Sequence, residues 1–373
     1  MRRVLRTLLL CGVSALPATA MRLAQAAPDA ALNDLHKHQL LASMVPANGD
    51  LNPYATVVAP VSAGTVKAGD VLVDNFNARS NFQGTGTTVM DFDPTSKATR
   101  LLATIPPKLA GCPGGVGLTA AMAMLQSGWI IVGSAPSTDG TTKTLGKGCL
   151  IVLDASGKVA GTITGPDIDD PWGNMAVIDR GSSATLFVSN IGFGIGAPGQ
   201  PPVDQATVLR LELAIPEGKP PVVRNQTVIG NGFASQADTN AFLIGPTGLA
   251  LGPNDTLYVS DAVGNRIVAI DHAATRTNSA GTGRVVTEGG SLKRPLAMVL
   301  AANGDLLVNN ALNGQVVEID PATGTQRAAM WIDADEAQNP PGSGDLFGIA
   351  MSQDSKGFYY VQDDNNTLMA ARP

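Results

Sequence analysis

The chain predicts an all-β fold, specifically a six-bladed β-propeller with four-stranded blades, closed by an N-terminal strand that completes the last blade. Three observations carry this. A three-strand unit recurs along the chain, best at 245–271 and 295–320. The acids are lopsided, 26 Asp against 5 Glu, and Asp belongs to turns and strand ends whereas Glu belongs on helix surfaces. The last copy of the unit is one strand short, while a strand-like segment at 39–45 precedes the first copy.

The unit at 245–271 reads as a short apolar strand at 249–251, a turn at Pro253-Asn254-Asp255, a second strand at 256–260, a turn at Val263-Gly264-Asn265 and a third strand at 266–270. Residues 284–287 supply the fourth. In the copy at 295–320, Asn303-Gly304 gives a strong hairpin turn between the first two strands. Weaker copies run at 53–93, 117–154, 172–213 and 347–369. Their spacing of roughly 50 to 75 residues exceeds the ~40 to 45 of a compact propeller blade, so loops are inserted between strands. With the segment at 39–45 placed outermost in blade six, both ends of the chain share one blade and no sheet edge is left bare.

Ahead of the repeats, Arg2, Arg3 and Arg6 lead into an apolar run from Leu8 to Leu16, interrupted by Pro17. The run is shorter than the ~18 to 20 residues a spanning helix needs, so residues 1–26 read as a signal peptide cleaved after Ala24-Gln25-Ala26. Residues 27–373 then form the propeller, and the expected location is the periplasm or outside the cell. The leader holds four arginines and no acid, which leaves 21 bases against 31 acids, a charge of about −10. Such a surface repels phosphate backbones and excludes nucleic acid as a partner. No other segment is apolar enough to span a membrane. Two cysteines remain, Cys112 and Cys149, both near one face of blade two, and in an oxidising compartment they are expected to be bridged.

Pro246, Gly248, Leu249, Ala250, Leu257, Tyr258, Val259, Asp261, Asn265, Arg266 and Ile267 stand as in an NHL repeat. The chain therefore resembles the NHL-repeat six-bladed propellers, strongly in blade four, fairly in blade five, and elsewhere by strand order. The wider superfamily that this resembles includes strictosidine synthase-like proteins, gluconolactonase and paraoxonase lactonases, and binding scaffolds.

Long loops mark the functional face of such a ring. They fall at 76–87, 135–147, 191–205, 230–244 and 333–344, all on one side. A polar residue recurs there at the end of each second strand: Asn75, Ser134, Asn190, Asp261, Asn310 and Asp363. Turn chemistry accounts for such residues, and Asp261 with Asn265 and Arg266 acts within its blade in the NHL pattern. The starts of the inner strands place Asn52, Tyr54, Trp172, Asn174, Thr247, Asp345 and Phe347 at the mouth of the central channel. That aromatic and amide lining suits a small neutral or sugar-like ligand, and a protein or glycan would fit the loop face.

Catalytic sets are sparse. His36 and His38 precede the repeats and His272 faces the other side, so no base, dyad or zinc set forms. The lactonase resemblance implies a divalent cation held by Glu, Asn and Asp. Asn174, Asp261 and Asp345 are the residues available for it, with no Glu in an equivalent place. The run Asp363-Asp364-Asn365-Asn366 lacks the spaced acids of a known calcium loop and reads as a solvated turn. The expectation is an exported, non-catalytic binding or scaffold propeller without a cofactor. Its alternative is a divalent-cation-dependent lactonase or esterase-like hydrolase of the gluconolactonase type, using Ca²⁺.

Overall fold

The computed structural model describes residues 29–373, so the expected leader and its cleavage point lie outside the described residues. The ring is built as the repeats imply. Strand β1 (Lys37–Ser43) is followed by blade one, β2 to β5 (Leu51–Val58, Val71–Asn77, Thr88–Asp93, Ala98–Thr104), and blade two, β6 to β9 (Leu118–Met124, Ile130–Ser134, Cys149–Leu153, Val159–Ile163). Blade three holds β10 to β14 (Ala176–Asp179, Ser183–Asn190, Val203–Ala214, Val222–Asp238, Phe242–Ile244). Blade four is β15 to β18 (Pro246–Leu251, Leu257–Asp261, Arg266–Ile270, Arg284–Glu288) and blade five is β19 to β22 (Pro295–Leu300, Leu306–Asn310, Gln315–Ile319, Gln326–Trp331). Strands β23 to β25 (Leu346–Met351, Phe358–Gln362, Thr367–Arg372) form blade six with β1 outermost, in the order β1-β25-β24-β23. The antiparallel register runs from Lys37 opposite Arg372 to Ser43 opposite Thr367.

Inner strands are short and bent, and the bend is how blades grip one another. A proline opens the inner strand in blades four and five and lies just inside it in blade one, and a register shift follows each, between Pro53 and Thr56, Pro246 and Leu249, and Pro295 and Met298. The bend turns the next carbonyl toward the preceding blade, where a buried side chain donates to it. Ser189 Oγ meets Thr247 O at 3.1 Å, Ser260 Oγ meets Leu296 O at 2.5 Å and Asn309 Nδ2 meets Phe347 O at 3.1 Å. In blade two the partner position is Gly133, and Thr119 Oγ1 makes the equivalent bond to Pro171 O at 2.7 Å. Apolar residues fill the space between adjacent blades, for example Leu118, Val132, Cys149 and Ile151 with Leu72 and Val89 of blade one.

The Cys112–Cys149 disulfide is formed, with Cα atoms 5.4 Å apart. It ties the loop before β6 to the start of β8. At the N-terminus, the turn Ala31–Asp34 docks on blade five because Glu318, fully buried, accepts from Ala31 N and Leu32 N at 2.7 and 2.8 Å. Among the described residues no helix is long and apolar enough to cross a membrane.

One predicted loop is instead an arm. Residues 230–244 continue β13 to Asp238 and return as β14, giving blade three a fifth strand. Gly230, Asn231 and Gly232 read as breakers, but the β12–β13 pair absorbs them through register shifts around Ala206–Leu209.

Candidate functional site

Five aromatic side chains meet on the channel axis at the long-loop face. Tyr54 stacks between Phe76 and Phe347, with ring centroids 4.4 and 3.8 Å apart. Trp172 meets Tyr54 and Phe76 edge-on, and Phe242 lies over Trp172 at 6.1 Å. None of the five is more than 2% exposed. Phe242 comes from the β13–β14 hairpin, which crosses the mouth. The hairpin turn is closed by Asp238 Oδ1, accepting from Asn240 N and Ala241 N at 2.9 Å each. Asp238 Oδ2 takes Arg294 Nη1 at 2.6 Å, and Gln83 Nε2 reaches Asn240 O at 2.9 Å. Phe242 holds a φ of 64°, a conformation that costs a bulky residue roughly 1 kcal/mol or more and is kept here by the ring stack. Tyr54, Trp172 and Phe347 are therefore packed core beneath a hairpin: at the channel mouth these aromatics plug the channel and do not line an open cavity.

The amides and hydroxyls expected there are also engaged. Asn174 Nδ2 donates to Leu249 O and Met298 O at 2.8 and 3.0 Å, and its Oδ1 accepts from Met298 N at 3.1 Å. It is a cross-tie between the inner strands of blades four and five. Thr247 donates to Gly245 O at 3.0 Å. Asn52 is held at φ 62° by a bond from its N to Asn366 Oδ1 at 2.7 Å, and its own Oδ1 is buried without a partner. Asp261 pairs with Arg266 Nε at 2.8 Å and accepts from Gly264 N at 3.0 Å. The set Asn174, Asp261 and Asp345 is thus no metal site, because the Met298 N–H occupies Asn174 Oδ1, and the Gly264 N–H and Arg266 occupy the two oxygens of Asp261.

Asp345 belongs to a different constellation, assembled by strand ends of blades five and six. Asp333 follows β22, Asp345 precedes β23, and Asp363 and Asp364 follow β24. One carboxylate oxygen each of Asp333, Asp345 and Asp364 lie within 4.8 Å of one another. Asp333 and Asp345 are buried, 4% and 5% exposed, while Asp364 opens to solvent. The backbone sets the positions, since Asp363 N donates to Asp345 O at 3.1 Å. Asp333 Oδ2 accepts from Gln362 Nε2 at 2.8 Å, but Asp345 Oδ2 and Asp363 Oδ1 are buried with no partner. Among the described residues no Lys or Arg forms an ion pair with any of the four acids. Burial, then the charges of Asp364 and Asp333, push Asp345 up to about 7. Burial, then Asp345 and Asp364, push Asp363 well above the usual carboxylate range. The same cluster touches the channel electrostatically: Tyr54 is raised well above its ordinary value by burial, then by Asp363 and Asp238.

Clustered carboxylates without a basic partner need either protons or a cation. Three carboxylates at this separation, with one buried oxygen unused, fit a hard divalent cation that takes oxygen ligands. Sequence reasoning singled out Asp345 but missed Asp333 and Asp364, and it took Asp363-Asp364 for a solvated turn. The segment is a turn exposed at Asp364 and Asn365, but Asp363 Oδ1 is buried and an Asp364 carboxylate oxygen lies within 4.8 Å of Asp345. The readable signal was that these acids sit at strand ends on the long-loop face, Asp333 after β22 of blade five and the others at β23 and β24 of blade six.

No family model matches the chain, and no curated protein matches it by sequence. Solved structures share its fold. A gluconolactonase from Xanthomonas campestris is 15% identical, with 93% of each chain covered and a TM-score of 0.56. A luciferin-regenerating enzyme is 10% identical over 89% of this chain and 94% of its own, with a TM-score of 0.55. The calcium-binding protein regucalcin from Agrobacterium tumefaciens is 12% identical over 90% and 93%, with a TM-score of 0.51. These share with the chain the six-bladed β-propeller fold. They also overturn the expectation of a non-catalytic scaffold, which rested on an incomplete carboxylate set: these neighbours include enzymes, and Asp333 and Asp364 complete a set around Asp345.

Proposed function

We propose that the protein is an exported, divalent-cation-dependent hydrolase of the lactonase or esterase class, with Ca²⁺ as its cation. The observation that carries this is the Asp333, Asp345 and Asp364 cluster, whose buried Asp345 Oδ2 has no partner. The likeness in fold to a gluconolactonase and to calcium-binding regucalcin supports it. Asp333, Asp345 and Asp364 would hold the ion, which when bound polarises an ester carbonyl as a Lewis acid. Acidic walls without a basic residue favour a neutral substrate over a phosphorylated one. The basic-then-apolar start of the chain and the Cys112–Cys149 bridge support export to the periplasm or beyond, and the blade-four repeat supports NHL-type ancestry.

Thermal unfolding with Ca²⁺, with Mg²⁺ and with chelator tests the site first. A ligand bound only by the native state at about 100 times its Kd adds about 2.7 kcal/mol. A Ca²⁺-dependent rise in Tm that Asp345→Asn abolishes is expected, together with chelator-sensitive hydrolysis of δ-lactones or aryl esters in a pH-stat. No shift with either cation, or a shift that survives Asp345→Asn, overturns the metal site. A shift without turnover of any lactone or ester overturns the hydrolase.

A further inference from the structure

The tight-turn face, opposite the acid cluster, carries a cleft of about 680 Å³ where the turns of blades one, two and three meet. Its size is that of a small-ligand site. Trp129 stands half-buried in the cleft, with its inner side packed on the apolar cluster between blades two and three. Ile215 and Pro216 form an apolar wall beside it. The rim is polar: Ser127, Ser182 and Glu217 are exposed, and Asp154 spends only Oδ1 on its own turn, accepting from Ser156 N and Oγ and from Lys158 N at 2.9, 2.6 and 3.1 Å. Gly181 and Gly218 keep the walls low, since a Cβ at either would meet nothing within 4 Å.

The chemistry of the lining selects a ligand class. None of the lining residues is Lys, Arg or His, while Asp154 and Glu217 are acidic, so an anion is disfavoured. A single indole is not the aromatic cage that holds an ammonium group. An amphipathic neutral ring, with an apolar C–H face for the indole and hydroxyls at its edge for carboxylate and serine oxygens, matches both parts of the lining. We propose that this cleft is a carbohydrate-binding site that stacks a neutral pyranose on Trp129, with Asp154, Glu217, Ser127 and Ser182 taking its hydroxyls. It lies on the other face from the acid cluster and stands independently of the hydrolase reading.

The test titrates the purified protein with cellobiose, maltose, N,N′-diacetylchitobiose and xylotriose, and in parallel with choline and spermidine, by calorimetry and intrinsic fluorescence. The chain has three tryptophans; Trp172 is 1% exposed and Trp331 lies at the end of β22, so Trp331→Phe serves as a control that leaves binding unchanged. Saturable binding of at least one saccharide is expected, with a loss of roughly tenfold or more in affinity in Trp129→Ala. Because Trp129 also packs on the core, Ser182→Trp provides a second variant that fills the cleft from its exposed rim, and it should lose binding at unchanged Tm. Chelator should leave saccharide binding untouched. No saccharide binding at about 10 mM, binding that survives Ser182→Trp, or binding of the cations alone overturns the proposal.

Discussion

Asp74 occupies in blade one the place that Ser189, Ser260 and Asn309 hold in blades three, four and five, one residue before the partner of Pro53, Pro171, Pro246 and Pro295 respectively. Its Oδ1 accepts from Ala55 N at 2.8 Å, its Oδ2 is buried without a partner, and burial pushes its pKa well above the usual carboxylate range. A raised carboxyl pKa means stability present at acid pH and lost as pH climbs from the ordinary carboxylate range toward the raised value. Asp74→Asn keeps an acceptor for Ala55 and a donor of Asn309 type, and it does not titrate. Its Tm advantage over the wild type should therefore be larger at pH 8 than at pH 5 by calorimetry; equal differences at both would show that Asp74 does not titrate in this range. Ser260→Ala, which removes the donor to Leu296 O and the acceptor for Gly248 N, should cost about 1–3 kcal/mol in denaturant unfolding. At this scale the sequence was only partly legible. Polar residues at second-strand ends were visible, but which carboxylates would face one another depended on loop paths, and Asp333 and Asp364 converge on Asp345 only because the link 333–344 folds back over β24.

The β13–β14 hairpin shows what a period-based reading misses at the level of an element. The 17 residues of β13 include Gly230-Asn231-Gly232, a string that punctuates strands almost everywhere, and no hydrophobic alternation spans it. Pairing with the long β12 carries the strand through. The hairpin is secured by a few contacts at its tip, Asp238 to Arg294 and Gln83 to Asn240, and by one large apolar anchor, Phe242. Phe242→Ala should cost about 3 kcal/mol or more, the usual range for emptying an aromatic site. It should also raise acrylamide quenching of Trp172 in a Trp129→Phe, Trp331→Phe background. Unchanged quenching would mean that the stack of Tyr54, Phe76 and Phe347 shields Trp172 without the hairpin.

For the whole molecule, the mismatch between a short last repeat and an extra leading strand was enough to place β1 beside β25, because four-stranded blades leave one vacancy and one surplus. The same arithmetic explains why the ring is sensitive at its ends. Removing residues 29–43 would leave β25 as a bare edge and strip buried Glu318 of the Ala31 and Leu32 N–H groups it accepts from. Light scattering of that variant should show self-association, whereas shortening the exposed turn at Gly218 should not.

The partners that close blade six also set a timetable. Lys37 bonds to the carbonyl of Pro373, 336 residues away, and every rung between β1 and β25 joins the two extremes of the chain. During synthesis β1 has no strand to pair with until β25 has been made, so the ring stays an open crescent until then. Contacts so distant form slowly. Closure of the ring therefore waits on the pairing of β1 with β25, and blade six gains its full set of four strands only when both are present.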